Sequence, residues 1–247
     1  MSNSVTNRYF AGKLERIQEQ YEDFHSKPEA QKDAEAYLIQ TEGHKYAEEY
    51  EKWIKPNTVF TDYNHAPTIF AESDDVLLIG NHSSFDTVQY EENPAKAGMS
   101  MVHILGISKE PLFNGVSLSP QNVSIIDDVI DLFEEEWDTP GFRVAVLNHQ
   151  REAIRNRIAT ESVENQKAGE KALHNWDELS NQIHSLSFDD FTFGLHLWPD
   201  HSVGHLHVHI IATPDWCRKP STLAHDEKTK DALEVRDFIL GRDRPEA

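Results

Sequence analysis

The sequence predicts an α+β fold in which short strands flank a long helical block. Apolar runs of strand length occur between residues 67 and 108 and again between 191 and 212, whereas the block between them repeats apolar residues at helical spacing. Strands that are grouped on either side of helices, rather than alternating with them one by one, favour an α+β fold over a doubly wound sheet. The sequence contains no glycine-rich phosphate-binding motif of the dinucleotide-binding or nucleoside-triphosphatase kind.

The first 55 residues are predicted to be helical. A second helix within them should begin at Pro28, a residue favoured in the first turn, and should be interrupted near Gly43 and stopped by Pro56. We expect these helices to pack on the main domain, with partner binding as the alternative. The first helix has an apolar residue at every third or fourth position, namely Phe10, Leu14, Ile17, Tyr21 and Phe24.

The strand-like segments define the main domain. They are residues 67–73, 75–81, 99–108, 191–199 and 203–212. We therefore divide the chain into an N-terminal helical extension, a main domain with a helical insertion around 140–185, and a C-terminal tail with one helix. The corresponding ranges are 1–56, 57–215 and 216–247.

Helices are predicted in the middle of the chain and in the tail. One should run from about Pro120 to Trp137, and another over residues 166–183. Residues 142–148 fit either a strand or a helix that continues through residue 162. The tail helix should turn its apolar residues inward, namely Ala232, Val235 and Ile239.

The composition excludes several classes of function. Acidic residues outnumber basic ones 43 to 23, so the formal charge is −20, and the mean hydropathy is −0.62. A surface with this charge repels nucleic-acid backbones and anionic membranes, so we expect no membrane binding and no extended nucleic-acid binding. The single cysteine, Cys217, rules out a disulfide scaffold and a cysteine-rich zinc module. The first residues lack an apolar signal core, which predicts a cytoplasmic or nuclear protein.

A row of three histidines is the most informative segment. His205, His207 and His209 alternate with aliphatic residues in DHSVGHLHVHIIATP. On a strand the three imidazoles would project from one face, whereas on a helix they would spread around the cylinder, so the alternation predicts a strand. Protonated imidazoles at this spacing would repel one another, so a purely structural row on a wet sheet face is the weaker interpretation.

Two chemistries use such a row. The histidines could ligate a metal, with His201 or Asp200 completing the shell, because imidazole is a common zinc ligand. Alternatively, one neutral imidazole attacks phosphorus while the others orient it. A nucleophilic imidazole needs its far nitrogen held as N–H by a carbonyl group or a second imidazole, so that the near nitrogen presents a lone pair. A metal would compete for the same lone pairs.

The histidine row resembles the signature of the histidine triad (HIT) superfamily, in which three histidines alternate with hydrophobic residues. This chain reads His205-Leu-His207-Val-His209-Ile-Ile, with no departure over seven positions. Upstream, the segment GLHLWP, which contains His196, is similar to the Gly-x-His-x-x-Pro pattern of the aprataxin and scavenger-decapping branches. Ser202 lies three residues before the first histidine, as in many nucleotide-binding members.

The resemblance implies a role for each residue of this segment. His207 would be the nucleophile that attacks the α-phosphorus of a nucleotide conjugate and forms a nucleotidyl-histidine, which water then hydrolyses. His205 and His209 would fix the tautomer of His207 and contact phosphate oxygens. Ser202 would donate a hydrogen bond to a phosphate or leaving-group oxygen, and His196 would help to protonate the leaving group or hold phosphate. The transferase and phosphorylase branches usually carry glutamine at the third position, so histidine there favours hydrolysis.

The same resemblance implies two substrate-binding positions, and a tryptophan that flanks the histidine row is a third candidate. The strand VLLIGN is similar to the family's ribose-contacting strand, and Asn81, His82 and Asp86 are the candidates for the ribose contact. The segment MSMVHILGISKE resembles the family strand that ends in Ile-Pro-Lys, which makes Lys109 a candidate. Trp198 could stack on a base, with packing in the core as the alternative.

The resemblance therefore implies a HIT-like antiparallel sheet with packed helices, and neither a cofactor nor a metal. Our leading hypothesis is a metal-independent hydrolase of a nucleotide conjugate, whether a phosphoanhydride, a phosphoester or a phosphoramidate. Two alternatives stay open: a nucleotide or small-molecule binding module that does not hydrolyse, and a metal-dependent hydrolase or lyase with the histidines as ligands. Homodimers are common among one-domain relatives, but the extra helices could occupy that surface, so a homodimer is also left open.

Overall fold

The computed structural model describes residues 5–41, 68–81, 99–110, 112–160, 166–201, 203–218 and 223–241. In this part of the chain an antiparallel sheet of six strands packs against helices, which confirms the predicted α+β fold. The strands lie in the order β1-β2-β3-β5-β4-β6. Their bounds are β1 Ile69–Glu72, β2 Val76–Gly80, β3 His103–Ser108, β4 Phe191–His196, β5 His207–Ala212 and β6 Thr229–Asp231.

Two helices form the described part of the N-terminal extension, as predicted. Helix α1 is Leu14–Ser26 and helix α2 is Pro28–Thr41, so the second helix does begin at its proline. Phe10 precedes α1 instead of belonging to it, but its side chain is buried. The predicted ends of this region at Gly43 and Pro56 lie outside the described residues.

The helical block contains α3 (Ile125–Trp137), α4 (Pro140–Thr160) and α5 (Gln166–Gln182). Helix α3 starts five residues later than predicted, because turns occupy the residues after Pro120. The ambiguous segment 142–148 is part of α4. Phe142 and Val146, one helical turn apart, are both buried, while Val144 between them is 49% exposed. A strand would have placed all three on one face.

The tail contains more structure than the single predicted helix. Helix α8 (Ala232–Ile239) has the expected buried residues, and it follows α6 (Asp215–Arg218), α7 (Leu223–Lys228) and β6. Strand β6 pairs with β4, with Thr229 opposite His196. Its sequence, Thr-Lys-Asp, contains no apolar residue, so no hydrophobic pattern indicated a strand. Asp231 ends the strand and accepts a hydrogen bond from the backbone N–H of Glu234, which caps α8.

The sheet has two different buried faces. One face carries Val208 and Ile210 of β5 and packs against α3 in the largest hydrophobic cluster. The other face carries His207 and His209, because neighbouring strand residues point to opposite sides. The register places Leu105 beside His209 and Ile107 beside His207 on that second face. In the part of the chain that is described, no helix is long and apolar enough to cross a membrane.

Candidate functional site

Four histidines from three neighbouring strands meet on the second face of the sheet. Strand β5 contributes His207 and His209, β4 contributes His196, and β3 contributes His103. The ring centroid of His209 lies 4.2 Å from that of His196, 4.8 Å from that of His207 and 5.0 Å from that of His103. We call these four residues the histidine cluster. His209 is at its centre because β5 lies between β3 and β4 in the sheet.

The first histidine of the row differs from the other two. His207 and His209 lie in β5 as expected, but His205 precedes the strand and forms an isolated bridge with Phe113. The chain on either side of His205 pairs with the same segment as Phe113: Asn114 N–H donates to Gly204 O, and Leu206 N–H donates to Leu112 O. The backbone therefore leaves the sheet at this point, and the three histidines do not share one regular strand.

Both ring nitrogens of His205 contact protein groups. Its Nε2 lies 2.7 Å from the carbonyl oxygen of Ser108, and its Nδ1 lies 2.5 Å from the hydroxyl of Tyr37 in α2. A carbonyl oxygen can only accept, so Nε2 carries the ring proton and Nδ1 accepts from Tyr37. Burial lowers the pKa of His205 to about 4, which keeps this ring neutral.

His207 is oriented by the backbone of His205 and not by its ring. The Nδ1–H of His207 donates to the carbonyl oxygen of His205 over 2.8 Å. In a neutral imidazole this places the lone pair on Nε2. Burial lowers the pKa of His207, and the hydrogen bond to His205 partly opposes that shift. The ring is therefore neutral near pH 7 and has the tautomer that a nucleophile needs.

A relay through His103 defines the tautomer of His209. Asn81, directly after β2, has its Nδ2 3.1 Å from Nδ1 and 3.3 Å from Nε2 of His103, and the His103 Nε2 lies 2.8 Å from Nδ1 of His209. With the shorter contact taken as the hydrogen bond, the amide N–H donates to Nδ1, which assigns the ring proton of His103 to Nε2, facing His209. The proton of His209 is then on Nε2, which is buried with no hydrogen-bond partner among the described residues. His209 thus offers an unused N–H donor.

His196 is oriented from the C-terminal tail. Its Nε2 lies 2.9 Å from the hydroxyl of Thr229, and that hydroxyl donates to the carbonyl oxygen of His225 over 2.6 Å. A hydroxyl has one proton, so Thr229 accepts from Nε2–H of His196, whose Nδ1 carries the lone pair. The ring of His225 lies parallel to that of His196 at 6.4 Å between centroids.

The charged groups that act on the cluster are cations. Burial is the largest cause of the lowered pKa values of His103, His196 and His209. The ammonium of Lys228 further lowers the pKa values of His196 and His209, and the guanidinium of Arg218 lowers that of His103, which falls to about 3. Two cations thus act on the neutral imidazoles in a protein with a net charge of −20, and one of them, Arg218, is paired with Asp226. This environment favours an anionic ligand.

The other predicted site residues have different positions. The ammonium of Lys109 binds Glu72 at 3.2 Å and the carbonyl oxygen of Ser73, in the turn between β1 and β2. Trp198 is buried in the core, with its indole N–H donating to Asp33 of α2 over 3.0 Å, which corresponds to the packing alternative. Asn81 is the one substrate-binding candidate that contacts the histidine cluster in the described structure.

Three predicted positions lie outside the described residues, namely Ser202, His82 and Asp86. Sequence reasoning, in turn, did not identify Tyr37 and Thr229 as contacts of the site histidines. Neither belongs to a motif, so no pattern could have indicated them. His103 did carry a signal, since it lies in a predicted strand with Leu105 and Ile107 at alternate positions, but only the strand order shows which face meets His209.

Within the described ranges, no group of three or more histidine, cysteine, aspartate or glutamate side chains is arranged to hold a metal ion. No family model, curated protein or solved structure compared with this chain matches it. The functional conclusion therefore depends on the geometry and the chemistry of the histidines themselves.

Proposed function

We propose that this protein hydrolyses a nucleotide conjugate at phosphorus, with Nε2 of His207 as the nucleophile. The observation that carries the proposal is the hydrogen bond from Nδ1–H of His207 to the carbonyl oxygen of His205. It assigns the lone pair to Nε2 in a ring that burial keeps neutral. These are the two properties that distinguish a nucleophilic imidazole from a packed one.

The reaction has two displacements at the same phosphorus. In the first, a bond forms between Nε2 and the α-phosphorus, the bond to the leaving group breaks, and the leaving group departs with the electron pair. His207 then carries a positive charge, which the carbonyl oxygen of His205 stabilises through the Nδ1–H. In the second, a water oxygen attacks phosphorus and gives its proton to Nδ1 of His196, the N–P bond breaks, and its electron pair returns to Nε2, which leaves His207 neutral again.

Two histidines near His207 can stabilise the charges that develop on the phosphate and on the attacking water during the reaction. The unused Nε2–H of His209 is a donor for a phosphate oxygen, and a buried donor of this kind stabilises a transition state without reorganisation. The free lone pair on Nδ1 of His196 is an acceptor for the proton of the attacking water. The ammonium of Lys228 adds positive charge beside both rings. Ser202 stays a predicted donor to the leaving group.

Intact-protein mass spectrometry tests the proposal most directly. Wild-type protein and His207→Ala are mixed with adenylate and guanylate conjugates and quenched without acid, because phosphohistidine is acid-labile. We expect a nucleotidyl adduct and product release from the wild type and neither from the variant. His184→Ala is the matched control, since His184 is an exposed histidine outside the cluster.

The alternatives give different results in the same experiment. Turnover in His207→Ala equal to that of wild type would contradict the proposal. Tight nucleotide binding without any product would favour the binding module. Loss of activity with a chelator, and its return with added metal, would favour the metal-dependent hydrolase.

A further inference from the structure

We propose that two hydroxyl groups from outside the predicted HIT-like domain, those of Tyr37 and Thr229, are positioning groups of the site. Tyr37 belongs to the N-terminal extension and Thr229 to the C-terminal tail. Each hydroxyl bonds one ring nitrogen of a site histidine: that of Thr229 fixes the tautomer of His196, and that of Tyr37 holds the ring of His205, whose tautomer is set by the carbonyl oxygen of Ser108. The kinetic part of this inference rests on the proposed function, whereas the structural part does not.

The Tyr37 hydroxyl completes the hydrogen bonding of His205. The ring of Tyr37 is buried and lies 5.7 Å from that of Phe113, which pairs with His205 through the backbone. Because Nε2–H of His205 already donates to Ser108, its Nδ1 can only accept, and the Tyr37 hydroxyl lies within reach to donate to it. Removal of this hydroxyl would leave a buried acceptor without that donor, which is costly away from water.

The effect of Tyr37 reaches the nucleophile through the backbone. With both ring nitrogens bound, the His205 residue is held at a defined position, and its carbonyl oxygen points at Nδ1 of His207. That hydrogen bond raises the pKa of His207 against the effect of burial. If loss of the Tyr37 hydroxyl loosens His205, the bond weakens and the pKa of His207 falls. Tyr37 thus acts on the chemistry without touching the substrate.

The Thr229 hydroxyl positions the ring of His196 through a hydrogen bond to its Nε2. Strand β6 places Thr229 directly opposite His196, and its side chain is fully buried. Because the hydroxyl donates to His225, it offers only its lone pairs to His196, which must present Nε2–H. The lone pair of His196 is therefore confined to Nδ1. Without the hydroxyl, either ring nitrogen could carry the proton.

The first experiment compares Tyr37→Phe with Tyr21→Phe. Tyr21 is the matched control, because it lies in the same extension and its hydroxyl contacts the backbone carbonyl of Leu118, not a site histidine. We expect Tyr37→Phe to lower kcat roughly tenfold with KM nearly unchanged, the size of one hydrogen bond. The acid limb of its kcat/KM profile should move to lower pH, because the pKa of His207 falls. Equal kinetics and pH profiles for the two variants would overturn the proposal for Tyr37.

The second experiment reads the tautomers directly. Nitrogen-15 chemical shifts of the histidine side chains distinguish Nδ1–H from Nε2–H in the full-length protein without any substrate. We expect Nε2–H for His196 and His205 in the wild type. Thr229→Val, which keeps the shape of the side chain, should give a mixture at His196, and Thr229→Ser should restore the single tautomer.

The two proposals fail in different ways. An unchanged His196 tautomer in folded Thr229→Val would overturn this inference for Thr229, whatever the activity. If the tautomers respond as expected but the wild type hydrolyses no nucleotide conjugate, the positioning groups stand and the proposed function fails. If Thr229→Val does not fold, the comparison of Thr229→Ser with Thr229→Ala replaces it, and the same tautomer criterion applies.

Discussion

The two faces of the sheet are both buried, but one face belongs to the large hydrophobic core and the other carries the histidine cluster. On the face that packs against α3, Gly106 of β3 lies so close to helix α3 that an added Cβ would be 2.2 Å from Cγ1 of Val129. This is the close packing of a hydrophobic core. On the opposite face, burial surrounds imidazoles as well as aliphatic side chains such as those of Leu105 and Ile107. There the same removal of water lowers histidine pKa values and makes the rings neutral.

The comparison shows how one strand serves both purposes. In β5, Val208 and Ile210 belong to the large core, while His207 and His209 belong to the histidine cluster. Because the side chains of a strand alternate between its two faces, residues that are adjacent in the sequence lie on opposite faces. Substitutions at adjacent positions of β5 should therefore separate effects on stability from effects on activity.

Acidification should produce the largest effect, and it should act through the buried histidines in the histidine cluster and in the segment that leads into β5. Burial lowers the pKa of His103 to about 3 and the pKa values of His201 and His205 to about 4, against 6.5 for an ordinary histidine. Below pH 6.5 the unfolded chain binds protons that the folded chain does not, so stability is complete above that pH and falls as the pH drops towards 4. Each such histidine contributes up to about 1.4 kcal/mol per pH unit.

Urea unfolding between pH 7.5 and 4.5 measures this slope. The midpoint should decrease steadily below pH 6.5, and His205→Gln should reduce the slope because one titrating group is removed. A midpoint that does not change over this range would contradict the inference that buried, neutral histidines dominate the face.

Ile210→Ala should damage the core face and spare the histidine face. The side chain is completely buried, and truncation of a buried isoleucine costs about 2–5 kcal/mol. The free energy of unfolding should fall by that amount, while kcat per folded molecule at low temperature stays close to wild type. A loss of kcat as large as that of a histidine variant would mean that the two faces are coupled.

His209→Ala should have the reverse pattern. The variant removes the unused Nε2–H donor, and loss of one donor to a developing negative charge typically costs about two to three orders of magnitude in kcat. Thermal unfolding should change much less than in Ile210→Ala. Since the donor matters most in the transition state, a change confined to KM would argue against this role.

The sequence predicted the residues of the histidine row better than their arrangement. Alternation indicated a strand, and β5 contains His207 and His209. The alternation could not show that the backbone leaves the sheet at His205, because the backbone there pairs with Phe113, which is distant in the sequence. The contacts of His205 also differ from the expected ones, since its ring contacts Ser108 and Tyr37 while its carbonyl oxygen orients the ring of His207, the proposed nucleophile.

The limits of the sequence are also clear at the edge of the sheet. Strand β6 has no hydrophobic pattern, so the sequence divided the chain before the segment that contributes Thr229. Pairing with β4, which a single sequence does not encode locally, brings that segment to His196. Periodicity predicted the helices and strands because burial imposes it. Polar contacts between distant segments produce no repeating pattern of residues, so the sequence alone does not reveal them.

The smallest effect should come from Val144 in α4, which tests how the ambiguous segment 142–148 was resolved. A helix turns Val144 to solvent and Val146 to the core, and the two side chains are 49% and 1% exposed. Val144→Lys should therefore change the free energy of unfolding by no more than about 0.5 kcal/mol. Val146→Lys, the matched variant two residues away, should destabilise the protein severely, because it buries an unpaired charge. Equal destabilisation by both variants would instead fit a strand, in which residues two apart share one face.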